Sequence, residues 1–282
     1  MNRHVKSKLI LLIGFILGVG FIMYPLLTQL YYDYTSNNEI KNFEEAIRDL
    51  DTQEKLKDEK LMLAEAYNEA LEPNLVWQDP YSEDWRDEGV KEYAKMLEVN
   101  EAIGVVNIPK INTTLMIYAG TSDSVLRKGA GHLEGSSLPV GGKNTHSVIT
   151  AHSGLPEARL FTDLEKLELE DIFSVNTLAG ELYYKVDEIK VIEPDDISSM
   201  QIIEGEDYVT LLTCTPYMIN SHRLLVRGHS IPEPNDLKEI ESSNMFLHYL
   251  KLYWHFIVLI SIVLLVMILI YKREKSIKVK KV

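Results

Sequence analysis

The apolar positions of this 282-residue chain gather in two long blocks near its ends and in short runs between them. Residues 9–32 carry no formal charge. At about 1.5 Å rise per residue they make roughly 36 Å of helix, enough to cross a bilayer with some tilt. Residues 252–271 form a second block, charge-free when His255 is neutral, with Tyr253, Trp254 and Tyr271 near its ends, where amphipathic rings favour the membrane interface. Arg3, Lys6 and Lys8 precede the first block; Lys272, Arg273, Lys275, Lys278, Lys280 and Lys281 follow the second, against Glu274 alone. Basic flanks stay in the cytoplasm. The pattern therefore predicts a basic tail over 1–8, a membrane helix over 9–32, another over 252–271 and a second basic tail over 272–282. Both termini are then cytoplasmic and the middle is extracellular. A cleaved signal peptide is the competing reading of the first block, but Tyr31-Tyr32-Asp33-Tyr34 follows it rather than a small-residue cleavage site. A buried core helix competes for the second, and the basic tail favours a span.

Residues 38–71 show helical periodicity, with Phe43, Ile47, Leu50, Leu56, Leu61, Leu63 and Ala64 on one face and no Gly or Pro between. They read as one helical arm or stalk leading away from the membrane. Glu72-Pro73-Asn74 ends it. The stretch 76–85 is irregular and aromatic, with Asp79, Pro80 and Tyr81 in a stiff turn. Exposing Trp77, Tyr81 and Trp85 is costly, so this loop is expected to lie against something. Residues 93–99 suggest one more short helix, and 33–100 form the arm-and-loop region. From residue 101 to 231 the texture becomes strand-rich, with runs at 103–108, 113–117, 146–150, 172–175, 182–192, 208–214 and 223–226. A short helix is expected over 156–164, with Pro156 near its start. Many short strands at close spacing predict a mainly β domain, a sandwich or a closed barrel. Residues 232–251 read as an acidic linker.

Composition excludes several classes. At 46% hydrophobic and 25% charged the chain can build a core, and a single cysteine cannot form an internal disulfide. A net charge of −13 argues against nucleic acid as a partner. The terminal flanks hold 9 of the 29 basic and 1 of the 42 acidic residues, which leaves −21 for the middle.

The lone thiol is the first candidate for chemistry. Strand alternation puts Thr210, Leu212 and Cys214 on one face, and Thr215-Pro216 stops the strand beside the sulfur. A lone cysteine is commonly a small buried hydrophobe; a strand-end position next to polar residues points instead to a nucleophile. Its proton partner is one of His132, His146, His152, His222 and His229, of which His152 stands at a strand exit. A cation is offered by Arg223 or Arg227, between which periodicity does not choose. There is no CxxC, HxxxH, EF-hand, GxGxxG or P-loop spacing, so no metal and no cofactor is expected. Gly129, Gly131, Gly135, Gly141 and Gly142 read as structural turns.

The run TLLTC followed by TPYMINSHRLLVRG resembles the active-site signature of sortases, membrane-bound cysteine transpeptidases of Gram-positive bacteria. HSVITAHSGLPEARLFTDLEKL and YAGTSDSVLRKGAGHLEGSSLPVGG resemble the family's histidine segment and the region before it. The resemblance implies an eight-stranded β-barrel with Cys214 as nucleophile, His152 as general acid/base and Arg223 as the group that stabilises the substrate carbonyl. It is the resemblance that selects His152 and Arg223 from their rivals. Asp79-Pro80-Tyr81, together with the C-terminal apolar block, is similar to the lid and second span of the class C, pilin-polymerising group. It implies that Asp79 pairs with Arg223 and that Tyr81 covers Cys214. The implied substrates are pilin subunits with an LPXTG-type signal, cut between Thr and Gly through a thioacyl intermediate and joined to a pilin lysine. A sortase that anchors proteins to cell-wall precursor is the alternative within the family. A non-catalytic receptor and a simple extracellular cysteine protease are the alternatives outside it.

Overall fold

The computed structural model describes residues 3–71, 79–81, 91–196 and 198–234, with single positions at 254, 258 and 261. Contacts divide the chain into two compact units, Thr28–Ser242 and a second made of Met1–Leu27 with Ser243–Val282. The expected span over 252–271, the tail over 272–282 and most of the linker lie outside the described residues.

Eight strands close a barrel: β1 (Gly104–Ile108), β2 (Thr113–Ala119), β3 (Ala130–His132), β4 (Thr145–Thr150), β5 (Ile172–Thr177), β6 (Gly180–Ile192), β7 (Asp207–Thr215) and β8 (His222–Ile231). Their order around the barrel is β1-β2-β3-β4-β7-β8-β6-β5. Closure removes the sheet edges that would otherwise expose unpaired backbone groups. Side chains alternate across the wall. Ile149, Val209, Leu211, Leu224 and Val226 enter the main core, whereas Val148, Leu212 and Leu225 form a separate outer cluster with Leu133, Ile192 and Met200. The middle of β7 is thus buried on both faces.

Two short elements escape the sequence reading. The glycine-rich stretch read as turns contains β3, which carries no β-branched residue. It needs Gly131, because a Cβ there would come within 2.4 Å of the Gly120 carbonyl oxygen. Ahead of it lies α3 (Asp123–Lys128), too short to show a period. Conversely, the helix expected over 156–164 does not form. Leu160 takes φ 43°, and only a 3-10 turn, Leu164–Lys166, is helical. Arg159 is instead drawn into a bidentate pair with Asp163 and gives its backbone N–H to Gln29 Oε1 at 2.8 Å. The helix expected over 93–99 shrinks to the 3-10 turn Lys91–Ala94.

The arm is two helices, α1 (Arg3–Asp51) and α2 (Glu54–Ala70). They part without Gly or Pro because the Thr52 hydroxyl donates to the Asp49 carbonyl at 2.6 Å and competes with the helical ladder. Nor is the arm a free stalk. Ile40, Phe43 and Ile47 of α1 pack with Val105, Met116 and Tyr118 of the barrel, and Phe43 is 1% exposed. The break also changes the apolar face of α2. Leu56 and Leu63 point to solvent, while Leu61, Ala64, Tyr67 and Asn68 turn inward. Buried Asn68 clasps the barrel loop: its amide nitrogen donates to the Leu138 carbonyl at 3.0 Å, and its oxygen accepts from the Leu138 N–H at 2.7 Å.

Among the described residues no single helix is long and apolar enough to cross a membrane. The stretches Ile13–Phe21 and Met23–Asp51, bent by 44°, meet that requirement of length and composition together. Pro25 lies just past the bend and cannot donate to the Phe21 carbonyl. The apolar block also joins the barrel unit before residue 32. Gln29 is held as described, and the Tyr32 hydroxyl donates to the Lys128 carbonyl at 3.1 Å.

Truncating Asn68 leaves the Leu138 N–H buried and unpaired, while the Leu138 carbonyl keeps its bond from the Val140 N–H, so Asn68→Ala is expected to lower stability by about 1–3 kcal/mol, read by urea unfolding. A change below about 0.5 kcal/mol would show that the clasp contributes little.

Candidate active site

Three adjacent strands bring the site together. β4 and β7 run parallel at a constant register, from Thr145 opposite Asp207 to Thr150 opposite Leu212. Beyond β4 the match continues: Ala151 N–H donates to the Leu212 carbonyl at 3.2 Å, and the Thr213 hydroxyl donates to the Ala151 carbonyl at 2.7 Å. The next step of that register sets His152 level with Cys214. On the other side β7 and β8 pair antiparallel, with Cys214 directly opposite Arg223. Side chains of paired residues share a face. Cys214 follows Leu212, and Arg223 precedes Leu225, on the outer wall. Cys214 and Arg223 thus stand side by side outside the barrel lumen, at the end of β7 and the start of β8, with His152 at the neighbouring exit of β4.

The other histidines have different duties. Nε2–H of His132 donates to the Ser137 carbonyl at 2.8 Å, and its Nδ1 meets the Tyr93 hydroxyl at 2.8 Å. Nδ1–H of His146 donates to the Gln201 carbonyl at 2.9 Å, and its Nε2 meets the Thr210 hydroxyl at 2.8 Å. Burial pushes both rings down to about 4, so they are neutral framework groups. His222 turns away from Arg223 toward Glu193, 3.3 Å distant. His229 is at the far end of β8, opposite Tyr208. Arg227, four residues beyond Arg223, is engaged by Asp187 at 2.9–3.0 Å.

Residues 79–81 lie over this wall. The Asp79 carboxylate accepts from Arg223 Nε at 2.9 Å and from Nη2 in a bidentate pair. Nη1 of Arg223 donates to the carbonyls of Asn220 and His222 at 3.0 and 2.9 Å. Both charged side chains are under 10% exposed. Pro80 is buried. The Tyr81 hydroxyl reaches into the β4–β7 seam, where it donates to the Ala151 carbonyl at 2.7 Å and meets the Thr150 hydroxyl at 2.6 Å. Its ring lies 5.7 Å from that of His152 and 5.0 Å from the Arg223 guanidinium carbon.

This cover decides the state of the thiol. Cys214 is 7% exposed, and burial pushes its pKa up to about 11. Arg223 pulls the other way, but Asp79 opposes it. An arginine beside a cysteine leads one to expect an enlarged thiolate share; here the cation is already neutralised and the sulfur is dry. Asp123, which no sequence motif marks, comes within 3.8 Å of His152 Nε2 through Oδ1. Among the described residues no group of three or more His, Cys, Asp or Glu side chains forms a metal site.

Comparison with known proteins places this architecture. Residues 106–231 match the sortase domain. Sortase D of Bacillus subtilis is 31% identical over 120 residues, 43% of this chain and 58% of its own length. Sortase A of Bacillus anthracis is 26% identical over 134 residues, 47% of this chain and 61% of its own length. The chain therefore spans little more than half the length of these curated relatives. Solved structures agree over a longer stretch. Sortase C-1 of Streptococcus pneumoniae is 53% identical at TM-score 0.67, covering 70% of this chain and 100% of that one. The pilus-related sortase C of Group B Streptococcus is 50% identical at TM-score 0.64, covering 68% and 96%. With the closed eight-stranded barrel, the matched domain and these class C pilin sortases as structural neighbours, the chain belongs to the sortase family of cysteine transpeptidases.

Proposed function

We propose that this protein is a pilin-polymerising transpeptidase with Cys214 as nucleophile, His152 as acid and base and Arg223 as oxyanion stabiliser. The observation that carries the reading is the alignment of these three side chains across neighbouring strands beneath a single covering segment. In this reading the Cys214 thiolate attacks the Thr carbonyl carbon of an LPXTG-type signal. Arg223 meets the charge that develops on the oxygen. The Thr–Gly bond breaks as His152 protonates the departing glycine amine, leaving a thioester on Cys214. A lysine amine of a second pilin subunit then attacks. His152 takes its proton, the C–S bond breaks, and an isopeptide bond remains. The uncharged stretches 9–32 and 252–271 with their basic flanks support a membrane-held enzyme, both termini cytoplasmic and the barrel outside.

Asp79 and Tyr81 are the lid in this reading. While they are in place, four of the five Arg223 N–H donors are engaged, by Asp79 and by the carbonyls of Asn220 and His222, and the thiol stays protonated. With a midpoint of about 11, only about 0.03% of Cys214 is thiolate at pH 7.5 in the closed form. Lid opening must therefore precede chemistry.

The deciding experiment incubates the full chain, carrying Asp79→Ala, with an LPXTG peptide and follows it by intact mass. A thioacyl adduct on Cys214 is expected, absent in Cys214→Ala and converted to an amide product by a lysine-bearing pilin segment. Free carboxylate as the sole product would instead indicate a protease, and no adduct would sink the reading. Asp79→Ala by itself removes an anion and part of the cover, both of which raise the thiol pKa. Its midpoint should fall, and alkylation of Cys214 at pH 7.5 should rise about tenfold or more. In the unaltered chain the alkylation rate should climb about tenfold per pH unit until the pH approaches 11, a slope that shifts to lower pH when the lid is loosened. Equal rates with and without Asp79 would show that the segment does not guard the sulfur.

A further inference from the structure

We propose that Asp123 is a positioning residue for His152, holding a carboxylate against the imidazole so that the protonated ring is favoured during acyl transfer. The inference rests on the transpeptidase reading above and adds a residue to it. Asp123 opens α3, which leads from β2 into β3 on the side of the barrel where β4 ends. Its two oxygens do different things. Oδ2 accepts from Arg127 Nε at 2.8 Å, one helical turn on. Oδ1 is turned to His152 Nε2 at 3.8 Å, within ion-pair range and just beyond a hydrogen bond. Arg127 thus restrains the carboxylate with its other oxygen toward the ring.

The charges around His152 come from several elements. Tyr81 faces it from the lid, the end of β7 with Cys214 runs beside the exit of β4, and Arg223 stands behind the Tyr81 ring. Arg223 is matched by Asp79, and Arg127 by Asp123 itself. Asp123 is 42% exposed and His152 20%, so the attraction is screened yet not abolished. The productive pair, thiolate with imidazolium, is a small minority near neutral pH, and a fixed anion at the ring enlarges it. A purely structural duty also suits Asp123, since an acid in the first turn and an (i, i+4) partner both favour a helix. That duty does not require Oδ1 to face the ring, and it makes no claim on the titration of His152.

The two roles separate in Asp123→Asn, which keeps the shape and removes the charge. In the full chain the His152 imidazole, followed by NMR, is expected to titrate about half a pH unit lower. In the Asp79→Ala background, where the lid does not limit the rate, kcat/KM for an LPXTG peptide at pH 7.5 should drop about threefold, with the pH profile displaced by the same half unit. Asp123→Glu, which restores the charge, should recover part of both. Should Asp123→Asn fail to fold, Asp123→Ser, a residue suited to a helix start, is the second variant, with the same shift expected. An unchanged titration midpoint in a folded, charge-free variant overturns the proposal. If the Asp79→Ala enzyme forms no adduct at all, the transpeptidase reading fails, while the NMR comparison still decides whether Asp123 governs the ring.

Discussion

The ion pair between Asp79 and Arg223 joins a segment outside the barrel to the wall that carries the thiol. Two charges this deeply buried are tolerated because each satisfies the other and the two Nη1 hydrogens of the guanidinium find the carbonyls of Asn220 and His222. The pair has two chemical consequences. It occupies the guanidinium, and it brings a dry cover over a sulfur whose charged form then becomes unfavourable. Both consequences come from one interaction, seen from the arginine and from the sulfur.

The barrel supplies the precision. A parallel pair at constant register and an antiparallel pair on its other side leave no freedom in which residues stand level. A slip of one residue in β7 would turn Cys214 into the lumen and put Thr213 on the outer wall. Register is held by burial on both faces of β7 and by side-chain bonds across the seam, among them Thr213 to Ala151 and His146 to Thr210. The latter explains why a histidine in the same HSVITAH run as His152 is inert. Its nitrogens are spent on the fold, and its burial disfavours a charge. The arm contributes in the same currency, with Phe43 and Asn68 inserting an apolar ring and an amide into places the barrel leaves for them.

Much of this was legible in the sequence because it depends on local pattern. Alternating β-branched runs show strands whatever their neighbours, and seven of the eight strands announce themselves. The eighth, β3, is made of Ala, Gly and His, residues chosen for close approach rather than for strand preference. Cys214 at a strand end and His152 at a strand exit are also local facts. The sortase signature then selected Arg223, which periodicity could not distinguish from Arg227. The helix expected over 156–164 shows the limit in the opposite direction, since its local pattern is overridden by the pairing of Arg159 with Asp163 and by the Gln29 side chain, 130 residues away along the chain.

By itself the sequence determined the kind of fold, the uncharged ends and the residues able to carry chemistry, since periodicity, composition and side-chain chemistry are properties of neighbours along the chain. Only the tertiary structure decided that the arm lies along the barrel and that His132 and His146 serve the framework. It also decided that burial pushes the Cys214 thiol up rather than down, and that Asp123 stands beside His152. Each of these depends on desolvation or on a contact between distant segments. The energy of a charge is set by what surrounds it in space, which no local stretch of residues encodes.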